Sequence, residues 1–166
     1  MKSDSAKAWV KDALPIRIAR SALAPNVPSA DLFVTAGHAV LVDGVLVAAG
    51  SLVNGSTIAI HDASEMDTLE YFNIKLERHD VIFAQGAACE TLLNVREHAL
   101  NFAEYTRLYG MPQNNEAPCL PRLAYDGGRS ALKGHLRSAL SPLLDRRAPI
   151  DILRDRLDER AHSLAI

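Results

Sequence analysis

Apolar residues along the first half of the chain come in short blocks or in strict alternation, and both patterns suit strands better than helices. Leu14-Pro15-Ile16-Arg17-Ile18-Ala19 predicts a strand whose start Pro15 confines to a sheet edge. Ser21 to Ala30, with Pro25, Asn26, Pro28 and Ser29, reads as a surface loop. The stretch from Ala30 to Val47 then organises the rest of the chain. It predicts an apolar strand, a break at Ala36-Gly37, a second strand, a hairpin turn at Asp43-Gly44 and a third strand. Ala48 to Gly55 reads as a short turn of helix or loop ended by Asn54-Gly55, and Thr57 to Ile60 as a fourth strand. Leu69 to Leu76 alternates, which predicts a strand with Leu69, Tyr71 or Phe72, Ile74 and Leu76 facing inward. Val81 to Ala84 comes next as a buried strand closed by Gln85-Gly86. Many short strands separated by turns predict an all-β unit over roughly the first 90 residues.

The periodicity then changes. Asn94-Val95-Arg96-Glu97 resembles a capping box, and Val95, Ala99, Phe102, Ala103 and Leu108 recur at helical spacing until Gly110-Met111-Pro112. Gln113 to Pro121 reads as a linker. Arg129 to Leu140 carries Leu132, Leu136, Ala139 and Leu140 on one face. After Pro149, a second stripe runs through Ile150, Leu153, Leu157, Ala161 and Leu164. It is laced with Arg154, Asp155, Arg156, Asp158, Glu159 and Arg160, the pattern of an amphipathic surface helix with solvated charges. The expected fold class is mainly β with an α-helical C-terminal extension, divided into a β domain over 1–93 and a helical extension over 94–166.

Composition narrows the function classes. The chain has 166 residues, 48% hydrophobic and 23% charged, enough for one globular domain with a real core. A net charge of −2 gives no reason to expect a nucleic-acid or membrane partner. No apolar run approaches a bilayer span, and Met1 to Lys7 lacks the apolar core of a signal peptide, so a soluble, cytoplasmic chain is expected. Cys89 and Cys119 have no partner at metal or redox spacing and read as buried or incidental thiols.

Candidate chemistry is sparse. Thr35-Ala36-Gly37-His38 sits in the break between two strands. Side chains three apart on a straight strand point to opposite faces, but a bend at Gly37 lets the hydroxyl and the imidazole share one site. That pairing suits acyl transfer, and the same spacing also arises by chance. His38, His61, His79, His98, His135 and His162 never fall at H-x-H or H-x-x-x-H spacing, so no metal site is expected. Asp126-Gly127-Gly128 lacks the strand and the Lys-Ser/Thr of a phosphate loop, no G-x-S-x-G elbow is present, and no cofactor is expected. Glu77-Arg78-His79-Asp80 can set a carboxylate beside an imidazole; the plainer account is a charged turn between strands.

Several segments in order carry a resemblance. They are Leu14 to Ala24, Asp31 to Val47, Leu52-Val53-Asn54-Gly55 and Tyr71 to Gly86, and together they are similar to bacterial Hint domains of the hedgehog/intein autoprocessing superfamily. The similarity covers the second half of such a domain, about residues 14 to 93, and the tail around Cys119 to Leu123 is like the extension many of these proteins carry. The resemblance implies a partial Hint β-fold and an N-to-S or N-to-O acyl shift, with Thr35 and His38 at the Thr-x-x-His positions. It also implies that His79 and Asp80 lie near the same site. The family opens on a Cys-Phe-x-x-Gly-Thr-like motif carrying the nucleophile; none precedes Leu14, and after Gly86 comes Ala-Ala-Cys-Glu-Thr where an intein ends in His-Asn. The expectation is an incomplete or degenerate autoprocessing domain, truncated or one piece of a split pair, whose partner is its own polypeptide or a complementary Hint half. The alternative is a non-catalytic β-scaffold that self-associates through open sheet edges, as a homo-oligomer.

Overall fold

The computed structural model describes residues 9, 13–94, 103–110, 117–123 and 148–164. Ile16–Ile18 (β1), Leu32–Val34 (β2) and Ile58–Ile60 (β5) form an antiparallel sheet with β1 central. A second sheet has five strands. They are Val81–Ala84 (β6), Ala87–Glu90 (β7), Ala39–Val42 (β3), Val45–Ala48 (β4) and Arg122–Leu123 (β8), in the order β6-β7-β3-β4-β8. All neighbours in it are antiparallel except β4 and β8, which pair in parallel.

The hairpin expected at Asp43-Gly44 joins β3 to β4, with Val42 opposite Val45. Both turn residues take positive φ, 51° and 78°, which matches the right-handed twist of the strands they join. A 3-10 turn over Ala49–Leu52 comes next, as the short apolar run after β4 implied. Ahead of β5, Asn54 Oδ1 accepts from the amides of Ser56 and Ile58, so a side chain does the work of a backbone turn.

Three expectations are corrected. Leu69 to Leu76 is not a strand. It has no regular secondary structure, with Phe72 86% exposed and Ile74 and Leu76 exposed as well, and is held by the Leu92 amide on the Ile74 carbonyl and by Tyr71 Oη on the Ala13 carbonyl. Alternation yields a strand only when a neighbouring ladder satisfies its backbone, and none of the described strands pairs with this segment. The second correction concerns β6, which is an edge strand with Phe83 exposed. Gln85-Gly86 closes this strand as expected: both residues take positive φ and turn the chain into β7.

The third correction is the last helix. Pro149–Leu164 (α2) lays Leu153 and Leu157 into the same core as Ile16, Ile18, Val40, Leu52 and Ile58. Its charges are not all solvated: Asp151 and Arg154 are buried. Arg154 Nε donates to the Ser51 carbonyl at 2.7 Å, and Arg160 Nε to the Ser21 carbonyl at 2.6 Å. Arg156 pairs with Asp43 in the hairpin turn. The β unit and α2 therefore share one core. The helix expected from Asn94 is described only as Ala103–Tyr109 (α1), ending at Gly110 with φ 78°. The Arg129 to Leu140 segment lies outside the described residues.

Candidate active site

The break between β2 and β3 is a tight turn in which the His38 amide donates to the Thr35 carbonyl at 3.1 Å. It is pinned from the other side, because the Ala49 and Gly50 amides donate to the carbonyls of His38 and Ala36, each at 2.9 Å. The bend does not depend on the conformational freedom of Gly37, contrary to expectation. Its φ lies outside the left-handed region, and a Cβ there would meet nothing within 4 Å. The turn, not the glycine, brings Thr35 and His38 together.

Both residues line a cavity of about 400 Å³ together with Asn73, Glu90, Thr91 and Arg122. They also line a second, more apolar cavity of about 240 Å³, walled by Phe33, Tyr71, Phe72, Ile74 and Cys89. The segment from Glu70 to Ile74, unpaired as a strand, contributes walls to these spaces, with Asn73 common to both.

Glu90, at the end of β7, is the charged centre behind this turn, and its side chain is only 9% exposed. One carboxylate oxygen, Oε1, accepts from the Ala39 amide at 2.8 Å and from Arg122 Nη2 at 2.9 Å. Arg122 Nη2 also lies 3.2 Å from the Gly37 carbonyl, so one guanidinium bridges the carboxylate and the turn. The other oxygen, Oε2, is buried and 3.7 Å from His79 Nε2. The Cys119 amide donates to His79 Nδ1 at 3.0 Å. A ring nitrogen that accepts carries no proton, so in the neutral imidazole the hydrogen sits on Nε2, facing the carboxylate.

Electrostatics follow from this arrangement. Burial holds the His38 imidazole below its ordinary value; Glu90 opposes that and Arg122 reinforces it. Burial pushes the Cys89 thiol up to about 11. Of the four residues singled out from sequence, Thr35 and His38 share the cavity. His79 is buried behind it, against Glu90. Asp80 is exposed: its Oδ1 accepts from the Val81 amide, its backbone pairs with Thr91, and it lines neither cavity. Glu90 and Arg122 escaped the sequence reading. The signal for Glu90 is a single carboxylate closing the run Ala-Ala-Cys-Glu; Arg122, on a two-residue strand, left none.

The family model for the Hint domain matches residues 2–96, more than half of the chain, and the chain belongs to that family. The mainly β architecture agrees with it. No curated protein and no solved structure matches. Among the described residues no helix is long and apolar enough to cross a membrane, and no three His, Cys, Asp or Glu side chains are grouped to hold a metal ion.

Proposed function

We propose that the cavity at Thr35 and His38 is the acid–base half of a Hint-type autoprocessing site, which performs an N-to-S or N-to-O acyl shift. The observation that carries this reading is the pinned turn that puts a hydroxyl and a half-buried imidazole on one cavity. In the shift, a cysteine or serine side chain attacks the carbonyl just before it, a thioester or ester forms, and the C–N bond breaks. An unprotonated amine is a very poor leaving group, so a proton must reach it. His38, held neutral near pH 7 by burial, takes the proton from the attacking S–H or O–H and delivers it to the departing nitrogen. The Thr35 hydroxyl orients the scissile peptide by a hydrogen bond.

Among the described residues no cysteine or serine lines the larger cavity, and Cys89 beside the smaller one is held as the thiol. The attacking side chain therefore comes from a segment other than these walls. His79 acts through Glu90 and not on the substrate, and Asp80 holds the start of β6. The partner is a protein segment: this chain's own polypeptide or a complementary Hint half.

The experiment supplies a peptide with a short leader, a Cys-Phe-x-x-Gly-Thr start and the early strands, and traps the thioester with hydroxylamine. His38→Ala should slow the shift by roughly a hundredfold or more. Thr35→Ala should cost about 1–3 kcal/mol of barrier. A reaction equally fast without His38 sinks the reading. A second reading, a self-associating β-scaffold, rests on the edge strand β6 with exposed Phe83 and on exposed Phe72. Light scattering that shows a monomer over a wide concentration range removes it.

A further inference from the structure

Glu90 belongs to no motif that led to the site, yet three elements converge on it. From the first residue of β3 comes the Ala39 amide at 2.8 Å, from β8 the Arg122 guanidinium at 2.9 Å, and from just before β6 the His79 ring at 3.7 Å. A carboxylate this buried is costly unless its charge is compensated. Here Oε1 is saturated by two donors, one of them charged, while Oε2 faces the histidine. The Ala39 amide is the peptide link immediately after His38, so the carboxylate holds the backbone that carries the imidazole. Arg122 bonds the Gly37 carbonyl on the other side of His38. The two charges thus grip the residues that flank His38.

We propose that Glu90 is the positioning residue of the His38 site and that Arg122, delivered by β8, is its counter-charge, so that the segment 117–123 sets the state of an imidazole in the β2–β3 turn. The proposal deepens the acyl-shift reading and rests on it for its role in catalysis. β8 reaches the place because Leu46 and Val47 of β4 pair in parallel with Arg122 and Leu123, and because the Leu46 amide donates to the Pro121 carbonyl at 2.8 Å. The same segment donates the Cys119 amide to His79. The charged groups that act on His38 are Glu90 from β7 and Arg122 from β8, with opposite sign; His79 stands on the far side of Glu90.

The test is a titration that needs no autoprocessing. The full chain, labelled on its histidines, is titrated by NMR and the His38 ring followed. Glu90→Gln keeps an oxygen for the Ala39 amide but loses the charge, and should move the His38 midpoint down by about 0.5 unit or more. Arg122→Gln should move it up by a similar amount, and Arg122→Lys, which keeps the charge, should stay near the parent. A merely structural role for either residue would lower stability without moving the midpoint in opposite directions. If Glu90→Gln does not fold, Arg122→Gln carries the test alone, since its side chain is one-third exposed. Unchanged midpoints in folded variants overturn the proposal. Failure of the peptide reaction with these shifts present removes the acyl-shift reading and leaves the Glu90–Arg122 device standing.

Discussion

Arg154, in the second turn of the last described helix, donates through Nε to the carbonyl of Ser51 in the 3-10 turn, with both residues buried. Asp151, one turn earlier, lies 3.8 Å from Arg154 Nη1 and is also buried. Removing one member of a buried charge pair takes the counter-charge from the other, so Asp151→Ala should cost about 3 kcal/mol. Urea denaturation of the whole chain checks this, and the midpoint should fall in one cooperative transition. A loss confined to helical signal, with the sheets unaffected, would show that α2 is not part of the core.

The two thiols should separate by reactivity. Cys119 is exposed, whereas Cys89 is buried with its thiol pushed up to about 11. Near pH 8 the thiolate is the reactive form, so Cys119 should label with iodoacetamide quickly and Cys89 only on unfolding. Peptide mapping after timed quenching reads the order. Equal labelling rates in the folded protein would contradict the burial of β7.

Acid should weaken the fold through His38. Its folded value lies below 6.5, so as pH falls from there the unfolded chain binds a proton before the folded chain does. Stability is then lost progressively on the acid side. The drop in urea midpoint between about pH 7.5 and 5.5 should be smaller in His38→Gln than in the parent, because glutamine does not titrate. An unchanged drop would mean that His38 titrates alike in both states.

Two glycines should behave oppositely. Gly44 sits at φ 78° in the hairpin, so Gly44→Val should destabilise by roughly 1–3 kcal/mol. Gly37 has ordinary φ and open space where a Cβ would go, so Gly37→Ala should be neutral or gain about 0.4–1 kcal/mol. Thermal melts of both variants decide it.

That contrast also marks what the sequence can reveal. Asp43-Gly44 was legible because a two-residue turn is specified by its own residues, and β1 and β5 because their apolar runs are bounded by loops. Leu69 to Leu76 misled because alternation reports a chain that can alternate, not one with a ladder beside it. The charged stripe of α2 misled for a related reason: Arg154 is buried by what it meets, Ser51, and that meeting is a property of the fold. At the candidate site, Thr35 and His38 were singled out by spacing together with the resemblance, and in the fold they line one cavity. Glu90 and Arg122 were not singled out, since each gains its role only from residues distant in sequence.

The Ser51–Arg154 bond spans 103 residues, and Leu157 joins a core built largely from the first half of the chain. A ribosome adding about 5–20 residues per second needs several seconds to pass from one end of that bond to the other. During that interval the sheets lack their helical cover, and for most of it the Thr35–His38 turn has no Arg122 behind it. The core is therefore complete only once synthesis has passed α2, after the turn has already gained Arg122.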